Sequence, residues 1–474
     1  YESVTIPETV TSELSSYTFG YLDELKNISV NKNNSAYLSV DDALLNKDKT
    51  ILICCPRGRK GVFAIPDGVK HLGDNAFNGC TLLTEISVPA SLEKSYYDEP
   101  YIYYISGYDF FDCSSLERIT VDEKNKDFAS SAGGELLNKD KTELICCPKT
   151  KAGTYSIPEG IVRLDNNTFG SCDLITEIVI PSSLTDITYT YGALDGYAFS
   201  RCDNLEKITV DANNEYFSSV DGVLYSKDKS VLIACPINKD SIVILDSARE
   251  IGANAFISND ELKDIKIPDT VTKIGEEAFR SCGNLSQISL PSGIISIGDN
   301  AFSYTSYYND ENNWENGCLY LDNYLLDYEN NNGAESVSIK DSTVLIADYA
   351  FNGENEITQI AMPDSVKYIG SYSFSQCGSL TSVTLSENTE DIGDHAFSYC
   401  YSLTSVTLSE NIEEIGDYAF LGCPELKSIT VPASVKTIGD DSLGYVGEDV
   451  RTPIDGFTIY GHRGTAARTY AKEN

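Results

Sequence analysis

Apolar residues return along this chain at a fixed interval. Between Val344 and Leu443, Phe351, Phe374, Phe397 and Phe420 stand 23 residues apart, and Leu443 fills the same slot one interval later. Five residues before each comes an isoleucine: Ile346, Ile369, Ile392, Ile415 and Ile438. Gly370, Gly393, Gly416 and Gly439 follow four of them. Between these blocks runs a Leu-x-x-Val-x-Leu pattern, Leu380/Val383/Leu385 and Leu403/Val406/Leu408, with polar residues in the gaps. A constant period of this length predicts the stacked coils of a solenoid. Each coil is too small to cover its own apolar edge, so equivalent side chains of successive coils must pile into columns. At this period the chain holds roughly 20 coils.

A longer period is superposed on the N-terminal half. Related phrases begin at Ala36, Asp127 and Tyr216, spaced at about four coils, and each closes on Ile-Cys-Cys-Pro or Ile-Ala-Cys-Pro. Each reads as a β-hairpin. In the third, the apolar Val223-Leu224-Tyr225 leads through the polar turn Ser226-Lys227-Asp228-Lys229 to Val231-Leu232-Ile233. The proline after the cysteine ends the strand, because it has no N–H to give to a ladder.

Two regular blocks are VKYIGSYSFSQCGSLTSVTLSEN from Val366 and IEEIGDYAFLGCPELKSITVPASV from Ile412. Their I-G-x-x-A-F-x-x-C and L-x-x-I-x-L-P-x-S-V elements resemble the BspA-like subfamily of bacterial leucine-rich repeats, and the resemblance extends over nearly the whole chain. It implies a leucine-rich repeat solenoid, mainly β with short helical turns and with hairpin insertions in the N-terminal two-thirds. The expected organisation is one solenoid over 1–474: coils with the hairpin superrepeat at 1–302, an irregular insert at 303–343, regular coils at 344–456 and a C-terminal cap at 457–474. In the cap, Phe457 to Gly461 reads as a last strand, and Thr465 to Lys472 as a short helix with Ala467, Tyr470 and Ala471 on one side. Such a cap would hide the last coil's open edge.

The rhythm breaks at three inserts. Pro268 and Phe279 mark the regular spacing; from Pro89 to Phe111 the gap doubles, and the added residues include Tyr96, Tyr97, Tyr101, Tyr103, Tyr104 and Tyr108. The Pro181–Phe199 gap carries Tyr189, Tyr191 and Tyr197. The third departure, Tyr304 to Tyr320, holds Tyr307, Tyr308 and the single tryptophan, Trp314. Coil building does not require these aromatics. Exposed on loops of a rigid scaffold they would be recognition anchors, and folded back they would pad the solenoid edge. Tyr96, Tyr97, Tyr101, Tyr103, Tyr104, Tyr108, Tyr189, Tyr191, Tyr307, Tyr308 and Trp314 are therefore the candidate binding residues.

Charge narrows the partners. With 35 basic and 72 acidic residues the net charge is −37, which disfavours nucleic acid and anionic membranes and favours a basic partner. No apolar run is long enough for a transmembrane helix. Val4-Thr5-Ile6-Pro7 already reads as mid-coil, which implies that upstream residues, a signal peptide among them, have been removed. Of the 14 cysteines, eight follow the A-F pair, five end the hairpin phrases, and Cys318 lies outside both groups. Register-locked cysteines behave as small buried hydrophobes, a thiol ladder rather than disulfides or a metal site.

Asp74, Asp299, Asp394, Asp417 and Asp440 recur after Gly, just before the A-F turn. Two readings compete, a row of Ca²⁺-binding carboxylates and an N-cap on the turn; without a D-x-D-x-D-G loop the cap is preferred. With three histidines, none beside a Ser or Cys phrase that departs from the repeat, no catalytic residue, metal or cofactor is expected. The family resemblance implies a monomeric, secreted or surface-displayed bacterial adhesion protein that binds host or neighbouring-cell proteins or glycans. The alternatives are a non-binding stalk and a polysaccharide-acting enzyme; the latter would need two converging carboxylates of shifted pKa.

Overall fold

The computed structural model describes all residues except 99–100, 188–193, 238, 240–241, 332, 448–451 and 474; the side chains of 95–98 and 101–104 also lie outside the description. Two compact units result: Tyr1–Ile242 with Asn254–Glu261, and Val243–Ala253 with Leu262–Asn474.

In the second unit the 23-residue period becomes a register. Ser336–Ser338, Gln359–Ala361, Ser382–Thr384 and Ser405–Thr407 form one parallel sheet, with Val383 opposite Val406. A second column consists of two-residue strands, Leu345–Ile346, Tyr368–Ile369, Asp391–Ile392, Glu414–Ile415 and Thr437–Ile438, each parallel to the last. Because strand side chains alternate, the isoleucine of each pair points inward and, after the first pair, in which Leu345 is buried as well, its predecessor points outward. Ile346, Ile369, Ile392 and Ile415 are all buried. The phenylalanines stack in a file: Phe351–Phe374, Phe374–Phe397 and Phe397–Phe420 have ring centroids 5.0, 5.1 and 5.3 Å apart. Gly393 permits this close stacking, since a Cβ there would meet the Ser371 nitrogen at 2.6 Å. Cysteines form a parallel file, in which Sγ of Cys377, Cys400 and Cys423 donates to the carbonyls of Phe351, Phe374 and Phe397, each at 3.2 Å. All fourteen cysteines are buried thiols.

In the first unit, longer parallel strands alternate with hairpins. Leu83–Val88 lies between Gly61–Ala64 and Arg118–Val121, and Ile175–Ile180 between Gly153–Ser156 and Lys207–Val210. The predicted hairpins form, but each is a three-stranded meander. In the third copy, Phe217–Val220 precedes the expected Val223–Ser226 and Val231–Ala234. Asp221 and Gly222, at φ 51° and 78°, make the primed turn that the Asp-Gly dipeptide favours. Stacked rings continue here, with Phe77–Phe110 and Phe169–Phe199 both 5.9 Å apart.

Short 3-10 turns at Ser16–Phe19, Gly107–Phe110, Tyr197–Phe199 and Glu311–Asn313 supply the helical component. The cap strand Thr458–Tyr460 pairs with Ser428–Thr430, and the helix Ala466–Glu473 buries Ala467 and Tyr470. Ala471, expected on the same side, is exposed: it lies one residue, about 100°, around the helix from Tyr470. The Tyr470 hydroxyl accepts from the Leu443 N–H at 3.0 Å and so satisfies the end of the stack.

Candidate recognition surface

The outward residues of the two-residue strand column are Tyr368, Asp391, Glu414 and Thr437. Just before them stand Lys367, Glu390, Glu413 and Lys436. The lysines are already engaged: Lys367 Nζ lies 2.8 Å from Glu390 and Lys436 Nζ 2.6 Å from Glu413. The Tyr368 hydroxyl also donates to Glu390, at 3.1 Å. Asp391, however, sits directly opposite Glu414 in the ladder, and like charges so placed destabilise a strand pair. Burial raises the Asp391 pKa above the ordinary carboxyl range, and the charges of Glu414, Glu390 and Glu413 raise it further. A groove of about 220 Å³ runs over this column, lined by Asp348, Tyr368, Asp391, Asp394 and Glu414 among its polar residues.

Along the neighbouring edge the residue two before each stacked phenylalanine forms a second aromatic file. Tyr349, Tyr372, His395 and Tyr418 adopt left-handed φ values of 60°, 55°, 54° and 57°, a conformation uncommon for bulky side chains. Their rings stack at 4.7, 4.4 and 4.7 Å. In the first unit Tyr17, Tyr108 and Tyr197 hold the same slot of their 3-10 turns, and Tyr17 is 66% exposed. Sequence reasoning missed this file; the 23-residue recurrence of an aromatic before the A-F pair is the signal that could have found it.

Of the recurrent aspartates, Asp394 and Asp417 reach the next coil and do not cap their own turns, whereas Asp299 accepts from Asn300 Nδ2 at 2.8 Å within its own turn. Asp394 Oδ1 accepts from the Asp417 N–H, and Asp417 Oδ1 from the Asp440 N–H, both at 2.7 Å. Asp348 accepts from the Ser371 N–H at 2.8 Å in the same way. The carboxylates of Asp348, Asp394 and Asp417 therefore each fasten one coil to the next. At Asp394 and Asp417 this corrects the N-cap expectation: the left-handed residue that follows aims the free N–H groups along the stack instead of into the turn.

The insert aromatics have different fates. Ser95–Asp98 and Tyr101–Tyr104 pair as an antiparallel hairpin that brings Tyr96 opposite Tyr103 and Tyr97 opposite Ile102, with Tyr101 and Tyr104 at its two ends; the side chains of these five tyrosines lie outside the described residues. Tyr189 and Tyr191 lie outside them altogether. Tyr108 is 41% exposed and stacks on Phe111 at 5.7 Å. Tyr307, Tyr308 and Trp314 are half-buried and fold back. The Tyr307 hydroxyl donates to the Tyr320 carbonyl at 2.6 Å, Tyr308 to Asp327 at 2.7 Å, and the Trp314 indole to the Tyr308 carbonyl at 2.8 Å. Tyr304 remains outside, 56% exposed, under the Arg280 guanidinium.

Carboxyls of shifted pKa do converge at one point. Asp299, Asp327 and Asp348 line a pocket with Tyr308. Burial raises Asp327 to about 6 and Asp348 to about 7. The pocket holds about 70 Å³, far below the several hundred of a small-molecule site, and has no room for a sugar. Among the described residues, no group of three or more His, Cys, Asp or Glu could hold a metal ion, and no helix is long and apolar enough to cross a membrane.

No curated protein matches the chain. Solved structures similar to it include a leucine-rich repeat protein from Eubacterium ventriosum (19% identity over 89% of this chain and 97% of that one, TM-score 0.28). The pneumococcal vaccine antigen PcpA matches at 18% identity over 92% and 73%, with TM-score 0.29. A leucine rich cell surface protein from Faecalibacterium prausnitzii matches at 18% over 92% and 97%, with TM-score 0.27. The family model for the BspA type leucine rich repeat region matches residues 61–132, 145–220, 233–331 and 327–446 in six copies. Stacked Phe and Cys files, a coil register of 23 and this match over most of the chain together make it a member of the BspA-type leucine-rich repeat family.

Proposed function

We propose that this chain is a recognition protein of the bacterial surface that binds a partner protein through a basic, extended segment lying along the groove of the two-residue strand column. The observation that carries this reading is the facing pair Asp391 and Glu414. Their repulsion weakens the coil pairing, both existing lysines nearby are committed to Glu390 and Glu413, and a cationic side chain in the groove would relieve the strain. A stack of coils offers such a partner many equivalent contacts at one-coil spacing. The Tyr101–Tyr104 hairpin and exposed Tyr108 form a second contact region, with rigid amphipathic rings on a short loop. Catalysis has no part in this reading.

Titration of the full chain with a lysine- and arginine-rich peptide, and with an acidic peptide of equal length, tests it. The basic peptide alone should bind, more weakly as salt rises. Asp391→Asn with Glu414→Gln should lower the affinity by about tenfold, the effect of one to two desolvated charge contacts. Equal binding of both peptides, or no change in the double variant, would reject the groove. Replacing Tyr101, Tyr103, Tyr104 and Tyr108 together tests the second region, and an unchanged dissociation constant removes it from the contact surface.

A further inference from the structure

One buried cation has no role in coil building. Lys149 follows the Cys146-Cys147-Pro148 end of the second hairpin phrase and is 1% exposed, although the next residue of its turn, Thr150, is exposed. Its Nζ lies 3.8 Å from Cys146 Sγ. Among the described residues no carboxylate comes within ion-pair distance of it, whereas neighbouring Lys151 and Lys94 pair with Glu135 and Glu143. The other two phrases carry Arg57, which reaches out to Asp23 at 3.1 Å, and the neutral Ile237 in this slot. The position thus neither requires a cation nor elsewhere buries one.

An isolated buried ammonium is costly unless an anion offsets it. The groups that act on Lys149 most strongly are the thiols of Cys146, Cys172, Cys147 and Cys113, with the Cys202 thiol and the half-buried Asp173 carboxyl also within electrostatic reach. Burial pushes the Cys146 thiol up to about 11, and the Lys149 charge opposes that shift. Lys149 thereby lowers the cost of ionising the sulfur 3.8 Å from it, which burial otherwise holds as the thiol.

We propose that Cys146 and Lys149 are a modification site at which a peroxide drives formation of a covalent sulfur–nitrogen bridge. Local opening of the surface turn at Thr150 admits the small oxidant. The Cys146 thiolate attacks one peroxide oxygen, the O–O bond breaks, and sulfur, oxidised by two electrons, becomes a sulfenic acid. The departing hydroxide takes a proton from the Lys149 ammonium and leaves as water. The resulting free amine attacks the sulfur, the S–O bond breaks, and the second hydroxide leaves as water with a nitrogen-bound proton. In total one thiol, one amine and one hydrogen peroxide give one S–N bond and two waters.

The test is peptide mapping of the folded full chain after brief hydrogen peroxide treatment and alkylation. Trypsin should lose its cut after Lys149. The peptide Thr142–Lys151 should appear lighter by two hydrogen atoms, with Cys146 unalkylated and both changes reversed by dithiothreitol. Lys149→Arg should restore cleavage at that position. A disulfide from Cys146 to another cysteine, a sulfinic acid there with Lys149 still cleaved, or an unmodified Cys146 would each overturn the proposal. The wild-type map decides the matter even where the variant folds poorly.

Discussion

Three asparagines carry more of the first unit's stability than their polar surroundings imply. Asn34, Asn125 and Asn214 stand two residues before the hairpin phrases and are at most 1% exposed. Asn214 Nδ2 donates to the carbonyls of Pro181 and Leu184 at 2.8 and 2.9 Å, while its Oδ1 accepts from the N–H groups of Tyr216 and Phe217. One amide therefore ties a hairpin to the coil before it. Asn214→Ala strands four buried backbone groups and should cost about 3 kcal/mol, read as a lower denaturation midpoint in urea. Asn213→Ala, one residue away on the exposed side, should cost almost nothing. The sequence hides this difference, because Asn-Asn-Glu between two apolar runs reads as an ordinary turn. The aromatic file was hidden for a related reason. Outside the 3-10 turns its slot is set by left-handed backbone rather than by hydrophobicity, so Asn75, Glu277 and Asn300 occupy it as well as tyrosine, and the recurrence is diluted.

At the scale of elements, legibility follows how strongly the core dictates residue type. The Phe, Ile and Cys columns are dry and crowded, so their period stands plainly in the sequence. The hairpins were readable from their turns, but their first strands were not: Phe217–Val220 is buried only at Phe217, and Asp221-Gly222 was the stronger clue. Inserts are least legible, since a tyrosine run is compatible with exposure or with folding back. The 303–343 insert shows the second outcome, and its anchor is titratable. Tyr308 holds Asp327, which shares a pocket with Asp348 and Asp299. Burial raises Asp327 and Asp348 far above the 3.8 of a free aspartate. The folded state therefore keeps protons that the unfolded chain has released, and stability falls as pH rises from about 4 through about 7. Thermal unfolding should show a higher midpoint at pH 5 than at pH 8. Asp348→Asn, which cannot ionise, should shrink that difference; an unchanged pH profile would contradict the assignment.

For the molecule as a whole, a net charge of −37 and the family's repeat architecture were both evident without coordinates. The division into two units was not, because the 23-residue rhythm passes through residues 243–261 without a Pro/Gly-rich break. The register of the regular coils has a further consequence. Tyr368 faces Asp391 and Asp391 faces Glu414, so every rung meets only its immediate neighbours. Excising residues 371–393 would splice Gly370 to Asp394, lay Phe351 on Phe397 and set Ile369 beside Ile415, leaving each remaining column intact. Such a chain should fold cooperatively by circular dichroism, whereas removal of 371–382 alone should unfold the second unit. Whole-repeat duplication or loss in the gene thus lengthens or shortens the strand column and its groove by one step without redesign of the interior.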